Sequence, residues 1–97
     1  MEAEAARRAV LVRVKGRVQG VGYRQWALRM GTDLGLDGWV RNRRDGSVEA
    51  LFSGPAEQVE TMLARCGSGP RAAVVTGVET TRTEPPDIAG FEVLPTL

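Results

Sequence analysis

The chain has 97 residues, 42% of them hydrophobic and 26% charged, a mix that sustains one folded domain and argues against wholesale disorder. Thirteen cations against 12 acids leave a net charge of +1, too little for a surface built to coat a phosphate backbone. The lack of histidine excludes a histidine base, a phosphohistidine and a His-ligated metal, and the single Cys66 excludes an internal disulfide and a Cys-only zinc site.

No apolar run approaches the roughly 20 residues that cross a bilayer. Residues 1–8 lack signal-peptide order, so a cytoplasmic protein without a membrane partner is expected. A single domain over 1–97 is expected, with residues 1–7 as a flexible polar lead-in. Val10, Val12 and Val14 alternate with Leu11, Arg13 and Lys15, which predicts a strand with one apolar face. The next segment, Gly16-Arg17-Val18-Gln19-Gly20-Val21-Gly22, carries three glycines in seven positions and reads as a loop with unusual dihedrals or a close neighbour.

From Tyr23 the period changes. Tyr23, Trp26, Ala27, Met30 and Leu34 recur at helical spacing, with an end near Gly35. Residues 38–42 and 47–52 flank Arg43-Arg44-Asp45-Gly46, a hairpin signal. Gly54-Pro55 opens a second helix with proline at its first position. Val59, Met62, Leu63 and Cys66 form its apolar stripe, and Gly67 closes it. Val74, Thr76 and Val78 suggest a fourth strand, Glu84–Asp87 a turn, and Phe91 and Val93 a short last strand. The order β-α-β-β-α-β, with one strand open to being split, predicts an α+β ferredoxin-like split β-α-β sandwich. Two helices would cover one face of an antiparallel sheet.

The strand-to-helix junction is the informative feature. A glycine-rich loop entering a helix N-terminus offers unpaired N–H groups and the positive end of a dipole, which suits an anion. It is not a P-loop, because Gly-Lys-Ser/Thr is absent, and it lacks the dinucleotide fingerprint, because position 25 is Gln25. Arg24 falls in the helix's first turn, an unfavourable place for a cation unless an anion binds there. From physics alone the junction reads equally well as an anion site or as a turn followed by a solvated arginine. Asn42, before the hairpin turn, reads on the same grounds as a shoulder residue bonding its own backbone more readily than as a functional amide.

The stretch Gly16-Arg17-Val18-Gln19-Gly20-Val21-Gly22-Tyr23-Arg24 resembles the acylphosphatase signature Gly-x-Val-Gln-Gly-Val-x-Phe/Tyr-Arg. A second block, Gly38-Trp39-Val40-Arg41-Asn42-Arg43-Arg44-Asp45-Gly46-Ser47-Val48-Glu49, is similar to that family's other signature, and Ser53-Gly54-Pro55 before a helix also fits. The likeness spans roughly residues 9 to 94, and the two blocks at this spacing are highly specific together. It implies a small hydrolase of the carboxyl–phosphate bond, releasing inorganic phosphate and needing no cofactor or metal. Carried over by position, Arg24 would bind the phosphate, backbone N–H groups of Gln19, Gly20, Val21, Gly22 and Tyr23 would cradle its oxygens, and Asn42 would orient the attacking water. The C-terminus departs from the family: where members commonly end Phe-x-Ile/Val-Arg-Tyr, this chain has Phe91-Glu92-Val93-Leu94-Pro95.

Other residues read more plainly. Arg41, Arg43 and Arg44 suit a solvated hairpin surface better than a device for steering anions. Trp26 and Trp39 suit core packing, and Cys66 suits burial rather than nucleophilic work. Asp33, Asp37 and Asp45 have no metal-loop spacing. An RNA-recognition module shares the layout, but residues 47–52 lack its aromatic pattern, aromatics total 5%, and charge is near balance, so no nucleic-acid partner is expected. A non-enzymatic sensor domain would explain the architecture without the loop, Arg24 and Asn42 together. The acylphosphatase-like module of a carbamoyl-transfer maturation protein is the third alternative, and a free-standing monomer the default.

Overall fold

The computed structural model describes residues 6–97. Alternation of valines draws out Arg7–Arg17 as β1, and the helical stripe yields α1 over Tyr23–Asp33. The hairpin comprises β2 (Asp37–Asn42) and β3 (Val48–Pro55). There follow α2 (Ala56–Cys66), β4 (Val74–Arg82) and β5 (Phe91–Val93). Most of the polar lead-in lies outside the described residues. Its last member, Arg7, belongs to β1 and pairs with Pro55, while Ala6 accepts a bond from Ala56 N at 2.7 Å.

The sheet order is β4-β1-β3-β2-β5. β1 and β3 lie antiparallel at its centre, from Arg7 opposite Pro55 to Val14 opposite Val48. The expected antiparallel sheet needs one amendment: β5 runs parallel to β2, with Val40 beside Val93. β4 and β5 are therefore not halves of one split strand but occupy opposite edges. Pro55 differs by one position from expectation, ending β3 as the N-cap of α2 with ψ 136°.

Val10, Val12, Val14, Val40, Val48, Ala50 and Phe52 face the helices and form one core with Tyr23, Ala27, Val59, Met62 and Cys66. Trp26, Met30, Leu34, Leu63 and Val93 pack on its margin. Phe52 stacks on Phe91 with centroids 5.5 Å apart, and truncating so fully enclosed a ring costs about 3–5 kcal/mol. β3 is buried on both faces: Glu49, Leu51 and Ser53, pointing away from the helices, are enclosed as well.

β4 also departs from the simple alternation. Val75 and Val78 pack towards the core, whereas Val74 is 57% exposed. The cause is a bulge, since Lys15 pairs with Gly77 and Gly16 with Val75, leaving Thr76 as an extra residue that reverses the parity. Gly16 is required there. Its φ is +124°, and a Cβ would lie 2.2 Å from Val74 O.

The last strand is held without the family's usual arginine. Leu94 N donates to Val40 O at 2.9 Å, Leu97 N to Asn42 O at 3.1 Å, and Arg44 N to Leu97 O at 3.2 Å. These main-chain bonds run the C-terminal segment along β2 to the hairpin.

Candidate active site

The loop between β1 and α1 bends through two left-handed glycines, Gly20 at φ 75° and Gly22 at φ 85°. A Cβ at either would meet nothing within 4 Å, so conformation and not space calls for glycine here. Gly22 caps α1 without a side-chain bond, and the helix's first turn holds no acid. The first backbone bond of the helix is Trp26 N to Gly22 O at 3.0 Å. Among the described residues, no backbone N–H from Gln19 to Gln25 donates to a protein acceptor. The result is a concave row of free donors at the positive end of a helix dipole. Arg24, half-buried in that first turn, meets no carboxylate among the described residues.

Two side chains hold this loop in place. Gln19 Nε2 donates to Arg43 O at 2.7 Å and Ser47 O at 2.8 Å, joining the loop to the hairpin turn. Tyr23 sends its ring into the core and donates its hydroxyl to Cys66 O at 2.8 Å. That bond satisfies the phenol, whose pKa burial pushes far above its ordinary value. The hairpin turn is closed by Asp45, whose Oδ1 accepts from Ser47 Oγ at 2.6 Å and Ser47 N at 2.9 Å. These bonds hold the Asp45 carboxyl below the usual range.

Asn42 ends β2 opposite Val48. Its side chain lies on the helix side of the strand, in phase with Val40, while Arg41 faces the other way. Its Oδ1 is buried and has no hydrogen-bond partner, an unusual state for an amide oxygen. Gly20, Gly22, Tyr23, Arg24 and Asn42 line one cavity of about 160 Å³, the size of a phosphate group with a few further atoms. Gln19 and Val21 are not among its walls: Gln19 braces the hairpin, and Val21 packs against the core. Val18, Gln25 and Val93 complete the cavity. Gln25 was findable as the third residue of the helix. Val93 was not, because it arrives through the parallel pairing of β5.

A family model described as acylphosphatase matches residues 10–93. An acylphosphatase from Azoarcus sp. (strain BH72) is 56% identical over 88 residues, covering 91% of this chain and 90% of its own. The chain belongs to the acylphosphatase family. The solved acylphosphatase from Coxiella burnetii superposes with a TM-score of 0.87 at 30% identity, over 91% of this chain and 93% of that one. Full-length HypF in its phosphate- and nucleotide-bound form matches with a TM-score of 0.88 over 99% of this chain but 13% of its own. At 19% identity that likeness is one of fold alone.

Within this acylphosphatase fold, the hairpin arginines are not the solvated set expected. Arg41 Nε lies 2.9 Å and Arg43 Nη1 3.2 Å from the same oxygen of buried Glu49, and only Arg44 of the three is exposed. Trp39 lies under the Arg41 guanidinium at 4.5 Å rather than in the core. The open sheet face thus offers no bare aromatic on which a base could stack. Trp26 meets Tyr23 edge-on at 5.1 Å and is not a cavity wall. Cys66 is fully buried, and burial raises its thiol to about 11, far from nucleophilic at neutral pH.

Among the described residues no cluster of three or more Cys, Asp or Glu side chains is arranged for a metal ion, and no helix is long and apolar enough to cross a membrane. A larger groove of about 390 Å³ lies at the far end of β1, between Arg7, Arg8 and Arg82. It has neither a helix start nor an amide in its walls, so its size does not recommend it as the reaction site.

Proposed function

We propose that this chain hydrolyses acyl phosphates to a carboxylate and inorganic phosphate. Arg24 and the free amides of the Gly20–Gly22 loop bind the phosphoryl oxygens, and Asn42 orients the attacking water. One observation carries the reading: one small cavity is walled by main-chain donors, an arginine and an amide oxygen that, among the described residues, have no acceptor, no carboxylate and no partner respectively. Membership of the acylphosphatase family supports the same reaction.

The chemistry suits so short an inventory. The leaving carboxylate has a conjugate acid of pKa about 4, so it departs unprotonated and no general acid is required. The transition state of phosphoryl transfer is loose and demands little of the nucleophile. Water attacks phosphorus, the P–O bond to the acyl group breaks with its electron pair going to the carboxylate, and a phosphoryl oxygen takes the water's proton. Positioning and charge stabilisation supply the remaining catalysis. A neutral amide orients water without repelling the dianion or retaining its proton. Under this proposal the reaction runs without a metal, in the cytoplasm, in a monomer.

The test is hydrolysis of benzoyl phosphate with chelator present, against an alkyl phosphate ester as control. The expected result is turnover of the acyl phosphate alone, with inorganic phosphate as a competitive inhibitor. Asn42→Ala should lower kcat much more than it raises KM, while Arg24→Ala should damage both. Unchanged turnover in Asn42→Ala overturns the water-orienting role. Loss of wild-type activity on chelation overturns the metal-free mechanism.

A further inference from the structure

The Asn42 amide is not oriented by bonds of its own. Its Oδ1 has no partner, and among the described residues its nitrogen donates to no protein acceptor. Its aim therefore depends on the backbone that carries it, and that backbone is gripped from behind. Arg41 and Arg43, the two neighbours of Asn42, both reach the face of the sheet away from the helices and meet at Glu49 Oε1, at 2.9 Å and 3.2 Å. Glu49 stands beside Arg41 on one flank and Arg13 on the other, so Arg13, Glu49 and Arg41 form a row across β1, β3 and β2. Arg13 Nη2 lies 3.7 Å from Glu49 Oε2, and Arg13 Nη1 lies 3.2 Å from Asp45 at the turn. The Glu49 side chain is only 9% exposed. A shielded carboxylate shared by several guanidiniums is held far more firmly than an exposed ion pair, and losing it leaves its partners without compensation.

We propose that Glu49 is a positioning residue for Asn42. By tying Arg41 and Arg43 to one carboxylate on the sheet's reverse face, it holds the end of β2 so that the intervening amide keeps a single direction into the cavity. This inference rests on the reading of Asn42 as the water-orienting group. Glu49 does not line the cavity, so it touches no reacting group, and its hold on Asn42 passes through the strand. A shift of about 1 Å at a reacting group costs up to about 100-fold in rate, and release of a strand end falls below that limit.

Glu49→Gln keeps the shape and an acceptor but removes the charge. The expected result is a kcat about 10-fold lower on benzoyl phosphate, with KM and the inhibition constant of phosphate changed less than about two-fold, because the Gln19 bond to Ser47 O and the Tyr23 bond to Cys66 O still hold the loop that carries Arg24. In an Asn42→Ala background the same substitution should change kcat less than about two-fold, because there is no amide left to aim. If Glu49→Gln does not fold, an Arg41→Gln/Arg43→Gln pair releases the same grip while Glu49 keeps Arg13, and the same pattern is expected. A purely structural role predicts instead a lower Tm with equal kcat losses in both backgrounds, or a KM that rises as kcat falls; either overturns the inference. A folded Glu49→Gln enzyme with full turnover, alongside a crippled Asn42→Ala, overturns it while leaving the Asn42 reading intact. An Asn42→Ala enzyme with full turnover overturns both.

Discussion

The two helices have the same length, eleven residues each, and opposite electrical design. α2 begins with Glu57 in its first turn and ends with Arg65 in its last, each charge complementing the dipole. Its first N–H is taken by Ala6 O at 2.7 Å. α1 carries Arg24 in its first turn, has no acid in its first turn and no base in its last, and among the described residues its leading amides have no protein acceptor. A misplaced charge of this kind costs about 0.3–1 kcal/mol. The comparison separates a helix end arranged for stability from one that the proposed function gives to a ligand. In α1 the described residues supply no favourable partner for the dipole.

Four experiments break or sharpen that contrast. The largest effect belongs to Arg24→Ala, which should lower kcat/KM for an acyl phosphate by about 1,000-fold while leaving stability equal or raising it by about 0.3–1 kcal/mol. Steady-state kinetics and urea denaturation read the two quantities. A variant that is both inactive and clearly less stable would mean that Arg24 supports the fold, and the contrast with α2 would collapse.

The helices meet where Tyr23 at the start of α1 bonds the carbonyl of Cys66 at the end of α2. Burial lifts the Cys66 thiol from its ordinary 9.0 to about 11. As pH rises, the unfolded chain loses this proton first, so stabilisation complete below about pH 9 is lost as pH climbs through 11. The loss is on the order of 2–3 kcal/mol. Denaturation curves across this range should show the decline, and Cys66→Ala should delay its onset by about one pH unit, to where tyrosine ionises in the unfolded chain. An unchanged onset in Cys66→Ala would remove the thiol as its cause.

Gln25→Glu gives α1 the acidic first turn of α2. It should raise stability by about 0.3–1 kcal/mol and weaken competitive inhibition by phosphate about 10-fold, because a carboxylate then stands beside the anion. Higher stability with unaltered phosphate affinity would show that the anion binds elsewhere. The smallest effect is Glu57→Gln, which should cost about 0.5 kcal/mol with kcat/KM unaffected. A drop in activity there would show that the two helix ends are not independent.

Both helices, the hairpin and the two edge strands are legible in the residues, because periodicity and turn chemistry are local. Tyr23, Trp26, Ala27 and Met30 announce α1, and Asp45-Gly46 announces the turn that the Asp45–Ser47 bonds close. The pairing of loop and hairpin in one site was legible only through the two family-like blocks, since nothing local draws Gly20 towards Asn42. The side-chain strut of Gln19 had no signal of its own, as its acceptors are carbonyls 24 and 28 residues away.

What sequence alone determined is the set of elements, the core-facing valines and the glycine loop that enters α1. These follow from the period of the apolar residues and from the dihedrals that glycine permits. Tertiary structure decided which edge β5 joins, the bulge that puts Val75 rather than Val74 towards the core, and the placing of Arg13 beside Glu49. Each of these depends on register between distant strands. A one-residue slip in register moves every side chain to the opposite face, and no local pattern records the partner.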